Sequence, residues 1–289
     1  MSVPTDRVRP EVLVFGSIVS VQFGAGLAAT LFDDLGPAGA ALLRLGISGV
    51  LAALIWRPRP SDFREPGALR LAVVYGVVLG LMNFVFYEAL DRIPLGIAVT
   101  LEFAGPLGVA VALSRKRLDV LWVTLAAAGI ILLGLRSGGA GGLDPWGVVF
   151  ALLAGVCWGA YILLAQPLGA RVKGNAGLAL GMIIAAMVPI GPGIAQAGDA
   201  LLEPSLLAQG AAVALLSSLI PYTLEFAALR RMSRRVFGIF MSLEPAVAAL
   251  AGFVVLHQSL SGRDLVAIGL VVAASIGAAT EAGVQEPVP

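Results

Sequence analysis

The chain has 289 residues, 58% of them apolar and only 13% charged, against about 45–50% and about 25% in soluble domains, so too few polar side chains exist to cover a water-soluble globule. The lone Cys157 and lone His257 rule out an intrachain disulfide framework and a His-rich metal site, and no cofactor or metal is expected. A formal net charge of +1 says nothing about partners; its distribution does.

Ten apolar segments follow one another near 11–32, 35–56, 67–90, 94–114, 118–136, 145–166, 175–196, 206–229, 236–257 and 265–283. Each is long enough for the roughly 20 residues that cross a hydrocarbon core of about 30 Å. The expected fold class is an all-α polytopic membrane protein with ten transmembrane helices. The first segment is too long for a signal peptide and lacks a small-residue cleavage site, so it is expected as a retained span. No soluble domain is expected beyond these segments.

In chain order, the first span carries Gln22 and the second Arg44. On the third, Gly76, Gly80, Asn83 and Tyr87 recur at helical spacing on one face. Helix packing accounts for the glycines, because small residues let helices approach closely in lipid; an amide and a phenol suit a polar solute better than a tight seam. Glu88 stands three residues before Asp91 and is expected at the outer interface, as a solvated helix end or a vestibule residue. Glu102 lies mid-way along the fourth span, four residues before Pro106. The joint Ser137–Gly142 is a glycine-rich linker without the GxxxxGK[ST] spacing of a phosphate cradle. Asp144 and Pro145 behind it have the residue types of an N-cap and a first helical position. Trp158, Tyr161 and Gln166 mark the sixth span, and Ser218, Tyr222 and Glu225 share a face of the eighth beside Pro221. Glu225 is either functional or paired with the arginines that begin at Arg230. Glu244, next to Pro245, is central in the ninth span.

A mid-membrane charge costs from about 2.5 to over 10 kcal/mol depending on method, so such groups normally face a bundle interior or a watery cavity. The expectation is one cavity lined by Asn83, Tyr87, Glu102, Tyr222 and Glu225. Pro106, Pro221 and Pro245 each remove a helical hydrogen bond and free the carbonyl four residues earlier. A freed carbonyl must then find protein, water or substrate, so bends and carboxylates are expected together.

Two stretches repeat one another. Residues 82–106 hold a helix, a short turn and a second helix with a glutamate and a proline, and 221–245 returns the pattern at an offset of 139, with Ala89, Leu90, Arg92 and Pro106 over Ala228, Leu229, Arg231 and Pro245. One such hairpin in each half indicates an internal duplication. With the N-terminus inside, fifteen of the nineteen basic residues fall on inner segments: Arg7 and Arg9; Arg57, Arg59, Arg64 and Arg70; Arg115 to Arg117; Arg171 and Lys173; Arg230, Arg231, Arg234 and Arg235. Only Arg92, Arg136 and Arg263 fall outside, and Arg44 lies within a span. Basic residues collect on the cytoplasmic side, so both termini are expected there. The expected organisation is a first five-helix repeat at 11–136, an outer linker at 137–144 and an inverted second repeat at 145–283.

Together these pieces resemble the drug/metabolite transporter superfamily with EamA-type repeats, and are most similar within it to the threonine and homoserine exporters of bacterial inner membranes. The resemblance rests on Ser20–Gly26, Arg44 in ALLRLG, Met82–Phe84, Tyr87, Ile93–Leu107, Gly155–Leu163, Ile220–Leu229 and Phe237–Gly252, which span nearly the whole chain. The glutamate and acidic turn at Glu88–Asp91 depart from that pattern. The resemblance implies amino-acid export across the inner membrane. No ATPase motif is present, so export must draw on an ion gradient, and a proton falling through 100 mV supplies about 2.3 kcal/mol. A buried glutamate can carry that proton by alternating between protonated and ionised forms. Glu102 is expected in that role, with Glu244 or Glu225 as second carboxylate. A zwitterion would then offer its ammonium to a carboxylate and its own carboxylate to Arg44, or to Asn83 and the tyrosines. Gln22, Trp158 and Tyr161 are further substrate-binding candidates, and Pro106, Pro221 and Pro245 candidate gating positions. An intramembrane enzyme would need a nucleophile with its base or a metal-binding pair, and neither is present; an exporter of another metabolite, an aromatic amino acid or a drug is the alternative. The expected partners are a small-molecule substrate, protons and the lipid bilayer, with no nucleic acid and a monomeric chain.

Overall fold

The structure, a computed structural model, describes residues 8–113, 119–134, 143–172, 174–229, 231–232 and 234–282. The linker at 137–142 and the basic residues Arg7, Arg115, Lys116, Arg117, Arg136, Lys173 and Arg230 lie outside them. Every regular element among the described residues is helical. The chain runs as α1 (Pro10–Ala29), α2 (Phe32–Trp56), α3 (Ala68–Leu90), α4 (Leu95–Glu102), α5 (Ala104–Leu113), α6 (Asp119–Gly134) and α7 (Pro145–Arg171). It continues as α8 (Ala176–Met187), α9 (Ile190–Ala197), α10 (Pro204–Ala214), α11 (Ile220–Leu229), α12 (Arg234–Met241), α13 (Glu244–Leu256) and α14 (Gly262–Ala282).

Six described helices are long and apolar enough to cross a membrane: Pro10–Ala29, Phe32–Trp56, Ala68–Leu90, Pro145–Arg171, Pro204–Glu225 and Ile239–Leu256. The pair α8 and α9, bent by 47°, makes a seventh if counted as one span, and shorter apolar helices cover Leu95–Val109 and Val120–Leu133. The molecule is thus an all-helical, polytopic membrane protein.

Local chemistry sets the helix ends. Asp144 accepts from the backbone N–H of Trp146 at 2.7 Å and of Gly147 at 3.4 Å, which caps α7. Gly67, at φ 78°, supplies the left-handed turn into α3. Two caps come from distant segments: the Gln258 side-chain oxygen accepts the N–H of Leu95, which opens α4, at 3.0 Å, and that of Gln196 accepts the N–H of Ala38 at 2.9 Å.

The prolines act one step earlier than expected. The helices break at Phe103, at the π turn Leu215–Leu219 and at Ser242–Leu243, ahead of Pro106, Pro221 and Pro245. Each proline then sits in the first turn of a new helical segment, where its missing N–H is best tolerated. Pro245 therefore opens α13, and the break before it lies within the span Ile239–Leu256. Phe103 and Ser242 are again 139 positions apart.

Glycine lets the elements close up. A Cβ at Gly76 would stand 2.7 Å from the carbonyl oxygen of Gly181, and one at Gly80 2.6 Å from that of Ala185, so α3 and α8 meet backbone to backbone, the packing role expected of those glycines. At the end where α1 finishes, one continuous apolar cluster joins α1, α2, α3, α4, α7, α9 and α13, with Leu35, Tyr87, Leu95 and Leu101 inaccessible to solvent. Away from that end the described core divides into one cluster on α2, α3, α7 and α8, another on α1, α11 and α12, and a small third on α5, α6 and α14.

Candidate functional site

A cavity of about 440 Å³ lies inside the bundle, walled by α1, α2, α3, α4, α5, α7, α11, α12, α13 and α14. Its walls include Gln22, Arg44, Asn83, Glu102, Pro106, Trp158, Tyr161, Pro221, Tyr222, Glu225 and Glu244. Residues from both halves of the chain thus share one space.

Arg44 reaches the wall from the middle of α2 and is 6% exposed. Its Nη2 donates to the Ser217 carbonyl at 2.9 Å, its Nη1 to the Tyr87 hydroxyl at 3.3 Å and its Nε to Ser218 Oγ at 3.4 Å. The guanidinium carbon stands 5.5 Å from the centre of the Tyr87 ring. Tyr87 is fully buried behind Arg44 and is not part of the cavity wall, which departs from the expectation that it lines the space with Asn83. The physical reason is the cation: a buried guanidinium needs acceptors for its N–H groups and gains from an aromatic face, and Tyr87 supplies both. The Ser217 carbonyl is the one that Pro221 leaves without a helical donor, four residues on. Arg44 fills that vacancy from the other half of the chain.

Three carboxylates complete the polar wall. Glu225 on α11 accepts from Ser17 Oγ at 2.6 Å, and Ser17 also lies 3.4 Å from the Pro221 carbonyl. Glu102 closes α4, at the negative end of that helix dipole, and Glu244 opens α13, at the positive end. Both are buried. The Glu102 carbonyl, left free by Pro106, faces Gly155 on α7, where a Cβ would stand 2.6 Å from it, so only glycine permits this approach. Asn83 donates its amide N–H to the Leu79 carbonyl of its own helix at 2.8 Å. The apolar wall is aromatic: Phe103 meets Trp158 edge-on, with centroids 5.2 Å apart, and Tyr161 packs on Tyr75 at 5.0 Å.

Two candidates fall elsewhere. Gln166 is exposed on the outside of α7. Glu88 is buried and paired with Arg92 at 2.8 Å, and Arg92 also donates to the Glu88 carbonyl; it is therefore an ion-paired helix end, neither solvated nor on the cavity. Two serines off the cavity lining tie α1 to the elements that form it. Ser17 and Ser20, at i and i+3 on α1, both bond to the eighth span, Ser20 to the Leu216 carbonyl at 2.7 Å; that spacing was the available signal. Ser217 carries a buried hydroxyl with no hydrogen-bond partner among the described residues.

A bundle of apolar helices around a central cavity, with a cation, three carboxylates and no ATPase motif, has the form of a solute transporter. The family model for EamA-like transporters matches residues 145–280. The chain is 42% identical over 268 residues to the threonine/homoserine exporter RhtA of Escherichia coli K12, covering 93% of this chain and 90% of that one. It is 41% identical to RhtA of Salmonella typhimurium LT2 over the same shares. The inner membrane transporter YedA of Escherichia coli K12, itself uncharacterized, is 28% identical over 93% of this chain and 92% of that one. A solved crystal structure with 21% identity superposes at a TM-score of 0.61 over 96% of this chain and 99% of that one, and shares the fold. The chain belongs to the EamA-like transporter family of the drug/metabolite transporter superfamily. Within that family it is of the RhtA type.

Proposed function

We propose that this protein is a secondary transporter that exports small amino acids, threonine and homoserine among them, across the bacterial inner membrane in exchange for protons. The observation that carries this reading is the shared wall: Arg44 and Glu102 from one half of the chain face the same cavity as Glu225 and Glu244 from the other. One cation and several carboxylates suit a zwitterion, and a carboxylate freed of its proton on one side of the membrane can bind an ammonium there. Glu102 carries the proton in this reading, with Glu244 or Glu225 as the second carboxylate. The identity to the RhtA exporters along nearly the whole chain supports the substrate class.

The chain crosses the membrane ten times, as two inverted five-helix repeats at 11–136 and 145–283, with both termini in the cytoplasm. The basic residues support the orientation, since most fall on the segments assigned to the inner side. Substrate enters the cavity midway between the repeats, where broken helices place free backbone carbonyls and carboxylates at one level. Pro106, Pro221 and Pro245 set those breaks and serve as the points about which access changes. A single chain is the transporting unit.

A second reading, export of an aromatic amino acid or a drug on the same scaffold, is favoured by the ring-lined wall of Phe103, Trp158, Tyr161 and Tyr222. Uptake of radiolabelled threonine, homoserine, phenylalanine and a drug panel into inverted vesicles under an imposed proton gradient separates the two. Threonine and homoserine uptake that collapses with the gradient is the expected result; uptake of the aromatic or drug probes alone moves the substrate class to the second reading.

A further inference from the structure

Arg44 is a buried cation whose assigned acceptors are all neutral: a carbonyl, a phenol and a serine hydroxyl. Among the described residues no carboxylate lies within 4.0 Å of it, whereas Arg92 pairs with Glu88 and Asp91. A guanidinium has five N–H donors. The three bonds use one on each nitrogen, which leaves one N–H on Nη1 and one on Nη2 to meet a carboxylate. The other candidates for a substrate carboxylate are less available. Asn83 spends one of its two amide N–H groups on the Leu79 carbonyl, Tyr87 lies behind Arg44, off the cavity wall, and Tyr161 and Tyr222 on the wall offer only neutral phenols.

We infer that Arg44 is the carboxylate anchor of the cavity and the residue that makes the transporter select acids over their amides and alcohols. The inference rests on the proposed export of amino acids and names the group that reads one end of them. It also ties recognition to the backbone. The same Nη2 that would meet the substrate with one N–H holds the Ser217 carbonyl, orphaned by Pro221, with its other, so the anchor and the π turn share one nitrogen. Occupancy of the anchor and the shape of the eighth span are thereby linked through a single side chain. A buried site that hydrogen-bonds a substrate group discriminates strongly against analogues lacking it, because its own polar atoms are then left unpaired. A guanidinium also outperforms an ammonium at a bidentate site.

The test uses the full chain in lipid nanodiscs and measures binding of three matched pairs: threonine and threoninamide, homoserine and homoserinamide, phenylalanine and phenylalaninamide. Wild type is expected to bind at least one acid tenfold or more tighter than its amide. Arg44→Gln should bind acid and amide within about twofold of each other, and Arg44→Lys should fall between. The conservative Lys variant keeps the test alive if the Gln variant does not fold. Equal binding of acid and amide by wild type, or discrimination that survives in both variants, overturns the anchor and leaves amino-acid export standing. Selective, Arg44-dependent binding of phenylalanine with no binding of threonine or homoserine supports the anchor and overturns the small-amino-acid reading. Failure of wild type to bind any of the three acids overturns both.

Discussion

Glu102 joins a carboxylate to a backbone carbonyl that Pro106 leaves without its helical donor, so protonation and helix shape meet in one residue. If Glu102 carries the transported proton, Glu102→Gln fixes the neutral state. It should insert normally, since it removes a costly mid-membrane charge, yet lose proton-driven export while sparing substrate exchange at equal pH. Export and counterflow in vesicles with and without an imposed pH gradient read both effects; normal pumping with the normal pH dependence would pass the role to Glu244 or Glu225. Glu88→Gln should lose far less, because Glu88 is bound to Arg92 away from the cavity. Residues of this kind were legible in the sequence in proportion to their cost. A glutamate in an apolar run demands a reason, whereas Ser17 does not, since a serine in such a helix is as well explained by packing. Its bond to Glu225 depends on α1 lying against α11, which no local pattern encodes.

At the scale of the helix, each broken span leaves a carbonyl to be satisfied from elsewhere, and the eighth span shows how. Pro221→Ala would restore an N–H that can reach the Ser217 carbonyl and would compete with Arg44 for it. Pro221 stands in the first turn of α11, where proline is tolerated, so its removal is not expected to cost stability. The variant should be at least as stable in a denaturant titration but transport more slowly, and a variant that is both destabilised and fully active would show that the π turn is set by other contacts. A second element-scale test concerns α4. Gln258→Leu removes the acceptor for the Leu95 N–H and should cost about 1 kcal/mol, as the loss of a helix cap does, measured by the same titration. Sequence showed that Pro106, Pro221 and Pro245 interrupt helices, because the missing N–H is a property of the residue. It did not show the break positions, nor the 47° bend between α8 and α9, because where a helix yields depends on which neighbours can take up its freed carbonyls.

For the molecule as a whole, the two halves meet around one cavity, and their inverted arrangement in the membrane can be tested directly. Hairpin 82–106 and hairpin 221–245 carry the same break at positions 139 apart, yet an odd number of spans in each half would place their turns on opposite sides of the membrane. The basic residues argue for that inversion: Arg230, Arg231, Arg234 and Arg235 flank the second turn, while the first has Arg92 alone beside Asp91. A parallel duplication would put both turns on one side and force either the arginine cluster outward or Arg92 inward, and the cluster is much the harder to move across. A reporter active only outside the inner membrane, inserted within 137–142, should therefore be active, and the same reporter at Met232 silent. A reporter fluorescent only in the cytoplasm should give the opposite pattern at both sites. Residues 137–142 fall between α6 and α7, and Met232 between α11 and α12, so neither insertion interrupts a described helix. If both positions report the same side, the inverted repeat is wrong, and the joining of Arg44 to the π turn near Pro221 must be explained without a two-fold axis in the membrane plane.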